Sequence, residues 1–509
     1  MPRLQWFTTV LVLVVVGTGG PAAVEQTVPG PKPPAALVAS FDGLGAGFIG
    51  PQGSSTQRNP SDNSVAVGPD RVIQIVNTRL AIFTKSGTPL YGPVETKTLF
   101  RDFGGPCEIR NNGDAVVRYD QLAGRWLIVM PIFSRGPLRD GPQPGPPVSL
   151  PESPDLSLQR RAPRAEGRGP SSYAMCYAIS TGTDPMGPYY RYQFARPLFP
   201  DYPRPAVWPD GYYVPTSTGD DVIQKHACVV ERAKMLVGGD AKEQCVVIDG
   251  VNFLNHADLD GQALPPPGAP NIILAAGGKQ LEKITADDGI YAWTFQVDWD
   301  DSSKTKVTGP VKIPVAPYHY LCDGQLTDCV PQPGTDRRLD AQGDKLMARV
   351  VYRRIGNQES IVAVHSVNSA AGGGGVRWYE FRLDRARNVR LYQQGTYAPD
   401  RFYRWLASPA MDRHGNIGIG YSFGGTPNFA GQRFAGRMAG DPKNRLTSRE
   451  TVLAIGEGPQ TTTMRWEDYT QTAMDPADDC TIWYVGDYLK KDSTNYSTRI
   501  GAFRMPGCR

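Results

Sequence analysis

Aspartate and arginine recur in this chain at places where a binding or catalytic group could be assembled. Asp62, Asp114, Asp201 and Asp468 each stand six to nine residues ahead of a second aspartate, Asp70, Asp120, Asp210 and Asp475. Arg404 and Arg465 sit in comparable phrases late in the chain, and Trp466 follows the latter. Brought together, these carboxylates and guanidiniums could hold a polar ligand through charge-assisted hydrogen bonds. Two of the carboxylates could also act as acid and as base or nucleophile in glycoside cleavage. The structural alternative is that each aspartate bonds the amides of its turn and pairs with an arginine as an internal strut. Tyr189, Tyr190, Tyr192, Trp208, Tyr212, Tyr213, Trp405 and Tyr469 invite the same two readings, as sugar-stacking faces or as packed core.

Other chemistries leave weaker traces. The stretch Asn255-His-Ala-Asp258-Leu-Asp260-Gly261 has the look of a calcium turn, but the later glutamate that would complete such a loop is missing. A plain Asx turn is the reading preferred here, with calcium at Asp258 and Asp260 as the alternative and no other cofactor expected. The five histidines are scattered without metal spacing, and no Cys-x-x-Cys motif occurs. No His-Glu-x-x-His motif is present. Lys+Arg 54 against Asp+Glu 50 is nearly balanced, so there is no electrostatic footprint for a nucleic-acid partner.

The elements that must position these residues form a repeat. The phrase begins near Asp or Arg, runs through an apolar β-type segment and ends in a tight turn on Asp, Pro or Gly. It reads Asp62-Asn-Ser-Val-Ala-Val-Gly-Pro-Asp70, Asp114-Ala-Val-Val-Arg-Tyr-Asp120, and Asp201 through Val207-Trp-Pro-Asp210. It returns as Arg404-Trp-Leu-Ala-Ser-Pro-Ala-Met-Asp412 and Asp468-Tyr-Thr-Gln-Thr-Ala-Met-Asp475. A second apolar run follows each turn. Divergent strand–turn–strand units at intervals of several tens of residues are the mark of a β-propeller. Gly 56 and Pro 46 suit a chain full of tight turns. The expected fold is all-β, a propeller of six or seven blades, with seven preferred.

Residues 1–23 read as a secretory signal peptide: one positive charge at Arg3, a short apolar run, and small residues at Ala22 and Ala23 where cleavage is expected. No later segment is long and apolar enough to span a bilayer. Residues 24–36 form a Pro-rich arm, loose by composition, and residues 37–509 a single propeller domain. The Pro- and Arg-rich stretch at about 134–172 interrupts it as a surface insertion. Leu37 to Asp42 reads as a strand that closes the ring against the last blade. All 8 cysteines lie beyond the leader, as in an oxidising compartment. Proximity suggests Cys322 with Cys329, Cys228 with Cys245 and Cys480 with Cys508, which leaves Cys107 with Cys176; residue order alone does not fix the connectivity.

Several phrases together carry a resemblance: Ala66-Val-Gly-Pro69, Gly113-Asp with Arg118-Tyr-Asp120 and Arg125-Trp126, Trp208-Pro-Asp210, Gln394-Gly-Thr-Tyr-Ala-Pro-Asp400, and Arg465-Trp with Asp468-Tyr469. The set resembles a family of mostly uncharacterised secreted bacterial proteins whose propeller is similar to that of sialidases. What the resemblance implies is fold and export. The sialidase Asp-box is absent in strict form: Met411-Asp-Arg-His-Gly-Asn416 occupies an analogous turn without its tryptophan.

Taken together, these readings describe a secreted, monomeric propeller that binds an extracellular glycan or surface ligand at its channel mouth. The site candidates are Asp62, Asp114, Asp201, Arg404, Arg465, Trp466 and Asp468. One alternative is a carbohydrate-active enzyme, a hydrolase or lyase, using channel carboxylates; another is an adhesive or structural module. The cysteine count generates a test. Denatured without reductant, the mature protein should present no titratable thiol, and two or more thiols would refute the four-bridge reading.

Overall fold

A computed structural model describes residues 24–56, 58–133, 173–218, 224–251, 253–277, 288–324 and 328–508. The leader at 1–23 and the insertion at 134–172 lie outside them.

The recurring phrase folds as the first hairpin of a four-stranded antiparallel meander, and the meander repeats around the molecule. The first comprises Ser64–Val67, Arg71–Val76, Arg79–Thr84 and Pro89–Glu95. The second runs Val116–Asp120, Arg125–Ile132, Ala174–Ser180 and Tyr189–Ala195. In the third, Ala206–Trp208 and the short Pro200–Asp201 both pair with Gly211–Thr218, followed by Gln224–Val230 and Glu243–Val247. The fourth, Asn255–Asp260, Asn271–Gly277, Gly289–Gln296 and Lys306–Ile313, touches the fifth through a parallel pairing of their first strands. The fifth is Val350–Ile355, Gln358–Asn368, Gly374–Leu383 and Val389–Tyr397. The sixth is Tyr403–Met411, Ile417–Gly425, Asn428–Arg437 and Thr451–Ala454. The seventh takes Gln471–Met474, Thr481–Tyr488 and Ser497–Arg504 from the end of the chain, and Ala36–Asp42 from its beginning. The architecture is that of a β-propeller.

The cores lie between meanders rather than within them. Val65, Val72 and Phe83 of the first pack on Trp483, Val485 and Ile500 of the seventh. Leu127, Val129 and Tyr177 of the second pack on Tyr212 and Val214 of the third. Between the sixth and seventh, the Phe434 and Phe503 rings stack with centroids 4.2 Å apart. Most of the aromatic residues singled out in the sequence are core: Trp208, Trp405, Trp466, Tyr189, Tyr212 and Tyr213 are among the largest fully buried side chains.

Three of the turn aspartates, Asp120, Asp412 and Asp475, do what their position suggests. Asp120 accepts from the Leu122 and Ala123 amides at 3.0 and 3.1 Å. Asp412 accepts from the His414 and Asn416 amides at 2.9 and 3.0 Å, and Asp475 from the Ala477 amide at 2.9 Å. These are local caps that hold each hairpin turn. All four expected disulfides are present, Cys107–Cys176, Cys228–Cys245, Cys322–Cys329 and Cys480–Cys508, and no cysteine is free among the described residues.

Composition suggests a loose N-terminal arm, but the arm is docked. Val24–Gln26 adds a parallel strand to the outer edge of the fifth meander. The buried Gln26 amide donates to the Leu446 carbonyl at 2.8 Å and accepts from the Leu446 amide at 2.9 Å. Lys32 then pairs with the sixth meander: its amide donates to Thr447 O at 2.9 Å, its carbonyl accepts from the Arg449 amide at 3.0 Å, and its ammonium meets Asp441. Gly30 passes so close to this segment that a Cβ there would come within 2.4 Å of the Thr447 backbone. A Pro-rich chain builds no core of its own, yet stays extended and can satisfy open strand edges. The arm thus straps the fifth and sixth meanders before entering the seventh. Replacing Gln26 by Ala should lower the unfolding free energy by about 1–3 kcal/mol in denaturant titrations, because two buried backbone groups lose their partner. An unchanged midpoint would show that the strap contributes nothing.

Candidate functional site

At the start of their innermost strands, several meanders bring the chain through a left-handed residue. Asp62 has φ 49°, Asp114 φ 54° and Asp468 φ 73°; Tyr202, which follows Asp201, has φ 54°. Non-glycine residues rarely adopt this conformation, and aspartate tolerates it better than most. The consequence is that the first aspartates of the repeat do not cap turns as the second ones do; they converge. The Asp114 carboxylate lies within hydrogen-bonding reach of both Asp62 and Asp201. Asn77 fastens two of the three, since its side-chain amide donates to Asp62 while its Oδ1 accepts from the Asp114 amide at 2.9 Å. Asp468 joins through Arg465, with which it forms an ion pair, and Arg465 also reaches Asp340 at 3.1 Å.

Two more cations stand at this mouth. Lys345 donates to Gln342, pairs with Asp344 at 3.0 Å, and lies 4.2 Å from the Phe253 ring centroid. The Arg204 guanidinium is sandwiched between two tyrosine rings, 3.4 Å from the Tyr202 centroid and 3.6 Å from that of Tyr469. Its Nη1 donates to the Pro203 carbonyl at 2.6 Å. Behind the mouth, Glu467 accepts from Ser422 Oγ at 2.9 Å, from Gln432 Nε2 at 2.6 Å and from the Asp487 amide at 2.6 Å. Asp487 in turn accepts from Asn63 at 2.5 Å.

So many acids in so little water cannot all be ionised. Burial pushes Asp62 and Asp201 well above the usual carboxylate range, and the charges of Asp114 and Asp468 push further. Burial also raises Asp468, opposed by Arg465 and Lys345. Asp340 is pushed up to about 7 by burial and by Asp468, against the pull of Arg465. Burial lifts Asp487 to about 7 as well, and raises its neighbour Glu467. Hydrogen-bonding capacity is also left over. Asp62 Oδ1, the hydroxyls of Tyr202 and Tyr469, Arg204 Nε and Nη2, and Gln342 Nε2 are buried without a partner. Closed protein interiors seldom leave several such atoms in one place.

Other candidates from the sequence lie elsewhere. Arg404 is fully buried inside the sixth meander, bonded to both Asp400 oxygens at 2.9 Å and to Glu450 at 2.7 Å. It is a strut with no donor turned to the mouth group. The Trp466 ring is buried beside Trp405 with its Nε1 on Ser422 Oγ at 2.9 Å, so it offers no stacking face. Asp258 and Asp260 are not in a turn at all, but on the strand Asn255–Asp260. Alternation puts both on one face, where Arg349 Nε meets Asp258 at 2.7 Å and its Nη2 meets Asp260, while Arg118 reaches Asp258 at 3.1 Å. Guanidiniums hold these carboxylates, which corrects the calcium reading there. The four residues line a narrow cleft with Val65, Gln121 and Met474, toward the other ends of the innermost strands from the mouth. The groupings of Cys228, Glu243 and Cys245 and of His414, Cys480 and Cys508 are close enough for a metal, but their sulfurs are spent in disulfides.

Sequence reading missed Asp340, Lys345 and Arg204, because the first two precede no recognisable strand–turn phrase. Tyr202 and Arg204, one and three residues from Asp201, and Glu467, adjacent to Asp468, were legible as unusual polar company for a strand start.

No protein-family model matches the chain, and no curated protein matches it. Among solved structures it is similar to a polysaccharide lyase of the PL25 type, an ulvan lyase, at 11% identity over 93% of this chain and 95% of that one, with a TM-score of 0.43. It is also similar to an exo-β-1,3-galactanase from Clostridium thermocellum, at 9% identity over 92% and 97%, TM-score 0.31. A bat subtype N10 neuraminidase-like protein matches at 7% identity over 60% and 95%, TM-score 0.27. These are loose likenesses of chain path and assign no residue of the mouth a role.

The buried acids make stability depend on pH in a definite direction. Asp487 has an ordinary value of 3.8 and is held at about 7 in the folded protein, so the folded state binds its proton more tightly. That contribution is complete below about pH 4 and is lost as pH rises through about 7. The wild-type unfolding free energy minus that of Asp487→Asn should therefore fall across this window, measured in denaturant titrations. A difference that is flat in pH would refute the burial argument.

Proposed function

We propose that the protein is exported and binds a glycan segment, or a ligand equally rich in hydroxyl groups, at this channel mouth. The observation that carries the reading is the set of buried, partnerless polar atoms beside converging carboxylates, Arg465 and Lys345. A sugar hydroxyl both donates and accepts, so one pyranose edge could satisfy an aspartate oxygen on one side and a tyrosine or arginine donor on the other. Recognition here runs through hydrogen bonds, since Arg204 already occupies the inner faces of Tyr202 and Tyr469. Four disulfides and the apolar N-terminal segment support export. Among the described residues, no helix is long and apolar enough to cross a membrane.

A second reading, a carbohydrate-active enzyme, is favoured by one feature. Asp62 and Asp201 are biased toward their protonated forms beside the Asp468–Arg465 pair, as a general acid must be. Against hydrolysis through Asp114 stands its spacing: it lies within hydrogen-bonding reach of Asp62 and of Asp201, whereas paired glycosidase carboxyls stand about 5–9.5 Å apart.

A glycan array and a polysaccharide panel, read for retention and for new reducing or unsaturated ends, test both. Asp114→Asn and Arg465→Ala should weaken retention at least about tenfold, the loss of one or two charge-assisted hydrogen bonds. Asp412→Asn, in a hairpin turn, should leave it unchanged. Retention that survives Asp114→Asn, or no retained glycan at all, would overturn the reading; new chain ends that vanish in Asp114→Asn would establish the enzyme instead.

A further inference from the structure

One cation at the mouth has no anion of its own. Arg118, Arg349 and Arg404 are buried about as deeply as Arg204, and each meets a carboxylate. Arg204, 3% exposed, forms no ion pair among the described residues. Its Nη1 is taken by the Pro203 carbonyl at 2.6 Å, while Nε and Nη2 are buried and bond nothing. Those two nitrogens share one edge of the guanidinium, the fork that grips two oxygens of a carboxylate or sulfate at once. The fork is held in place. The Tyr202 and Tyr469 ring centroids lie 3.4 and 3.6 Å from Arg204 Cζ. Pro203 and Pro205 flank the residue, and a proline restricts both itself and the residue before it.

A second group of donors reaches the same tyrosine from a distant part of the chain. The Lys345 ammonium lies 5.1 Å from the Tyr202 centroid and donates to Gln342 Oε1. Gln342 Nε2 is thereby left buried with no acceptor, on a residue 2% exposed. Gln342 also carries φ 46°, a left-handed backbone that glutamine rarely adopts. Phe253 closes another side, its centroid 5.0 Å from that of Tyr202. The hydroxyls of Tyr202 and Tyr469 are buried without partners too. Around one ring stand a guanidinium fork, an amide and two hydroxyls, all with hydrogens to give. Asp344 already pairs with Lys345, and Asp468 with Arg465. A sugar hydroxyl brings a hydrogen along with its acceptor sites, whereas an oxyanion brings acceptors alone. Acceptors are what this group lacks.

We propose that Arg204, Gln342 and Lys345 form an oxyanion subsite at the channel mouth, which takes the carboxylate or sulfate of an acidic sugar. The subsite deepens the glycan reading, on which its polymeric ligand rests, by narrowing that ligand from any hydroxyl-rich chain to an anionic one. The acid group docks on the Arg204 fork and fixes the orientation of the sugar, whose hydroxyls remain for the carboxyl groups of the mouth. A free sugar acid is enough to test it.

The mature protein is titrated at neutral pH with D-galacturonate, with its methyl ester and with a galactose sulfate ester, followed by ligand-observed NMR. One of the two acids should bind with Kd on the order of 10⁻³ M, at least about tenfold tighter than the methyl ester, the worth of one hydrogen bond to a charged group. Whichever acid binds tighter identifies the group the subsite takes. Arg204→Lys keeps the charge but removes the fork, and should bring that acid down to the affinity of the ester. Where this variant does not fold, Gln342→Asn withdraws the free amide, and asparagine tolerates the left-handed backbone. It should weaken the acid about threefold or more. Asp412→Asn should leave each affinity unchanged. The subsite is overturned if the ester binds as tightly as both acids, or if a folded Arg204→Lys keeps the wild-type preference. Absence of acid binding at concentrations about tenfold above that Kd overturns it equally. The glycan screen separates the two claims. Retained glycans that are all neutral overturn the subsite and leave the glycan reading standing; a bound acid sugar with no retained glycan does the reverse.

Discussion

A four-stranded meander has two apolar faces and no means of burying either on itself, so each one here depends on its neighbours on both sides. Val65 and Phe83 need Trp483 and Ile500; Leu127 and Tyr177 need Tyr212 and Val214. An open row would leave two faces wet, and the ring must therefore close. Closure falls to the chain ends: Ala36–Asp42 completes the seventh meander beside Ser497–Arg504. The arm that leads there, bonded at Gln26 and Lys32, ties the fifth and sixth meanders on its way. Residues that are poor core builders thus secure the junction on which every core relies.

Only a frame so cross-braced can hold like charges in contact. Left-handed aspartates and crowded carboxylates are each unfavourable and would relax if their supports could move. Asp62 and Asp114 are fastened by Asn77, Asp468 by Arg465, and Arg204 by two tyrosine rings. The two halves of the channel resolve the same problem differently. Around Asp258 and Asp260 the arginines Arg118 and Arg349 neutralise the acids, and the result is a set of internal ion pairs. Around Asp62, Asp114 and Asp201 no ion pair forms among the described residues, and burial with the charge of Asp114 favours the protonated forms of Asp62 and Asp201. Residue type is shared between the halves; the difference lies in whether a cationic side chain arrives from across the channel.

Much of the architecture was legible because it is local. The turn aspartates Asp120, Asp412 and Asp475 bond amides two to four residues away, and a sequence window contains both partners. Strand alternation and the recurring phrase are equally short-ranged. The kinship of Asp62, Asp114, Asp201 and Asp468 could also be read, since in a closed repeat the same place in the phrase means the same level of the ring. That logic misled at Arg404, whose place in the phrase is similar but whose charge is captured by Glu450, 46 residues away, and by Asp400. It misled again at Asp258 and Asp260, where an apparent turn is a strand whose arginine partner lies about ninety residues on.

By itself, then, the sequence determined the all-β repeat and the hairpin turns, because each follows from residue order over a short span; the cysteine partners it only suggested, since Cys107 and Cys176 lie 69 residues apart. The tertiary structure alone decided which charges meet. Asp340 and Lys345 reach the mouth from stretches that carry no signal of it, and the loose-looking arm becomes a strap only where open edges await it. An ion pair or an unanswered carboxylate depends on distance through space, and at separations of a hundred residues or more that distance is set by ring closure rather than by neighbours in the chain.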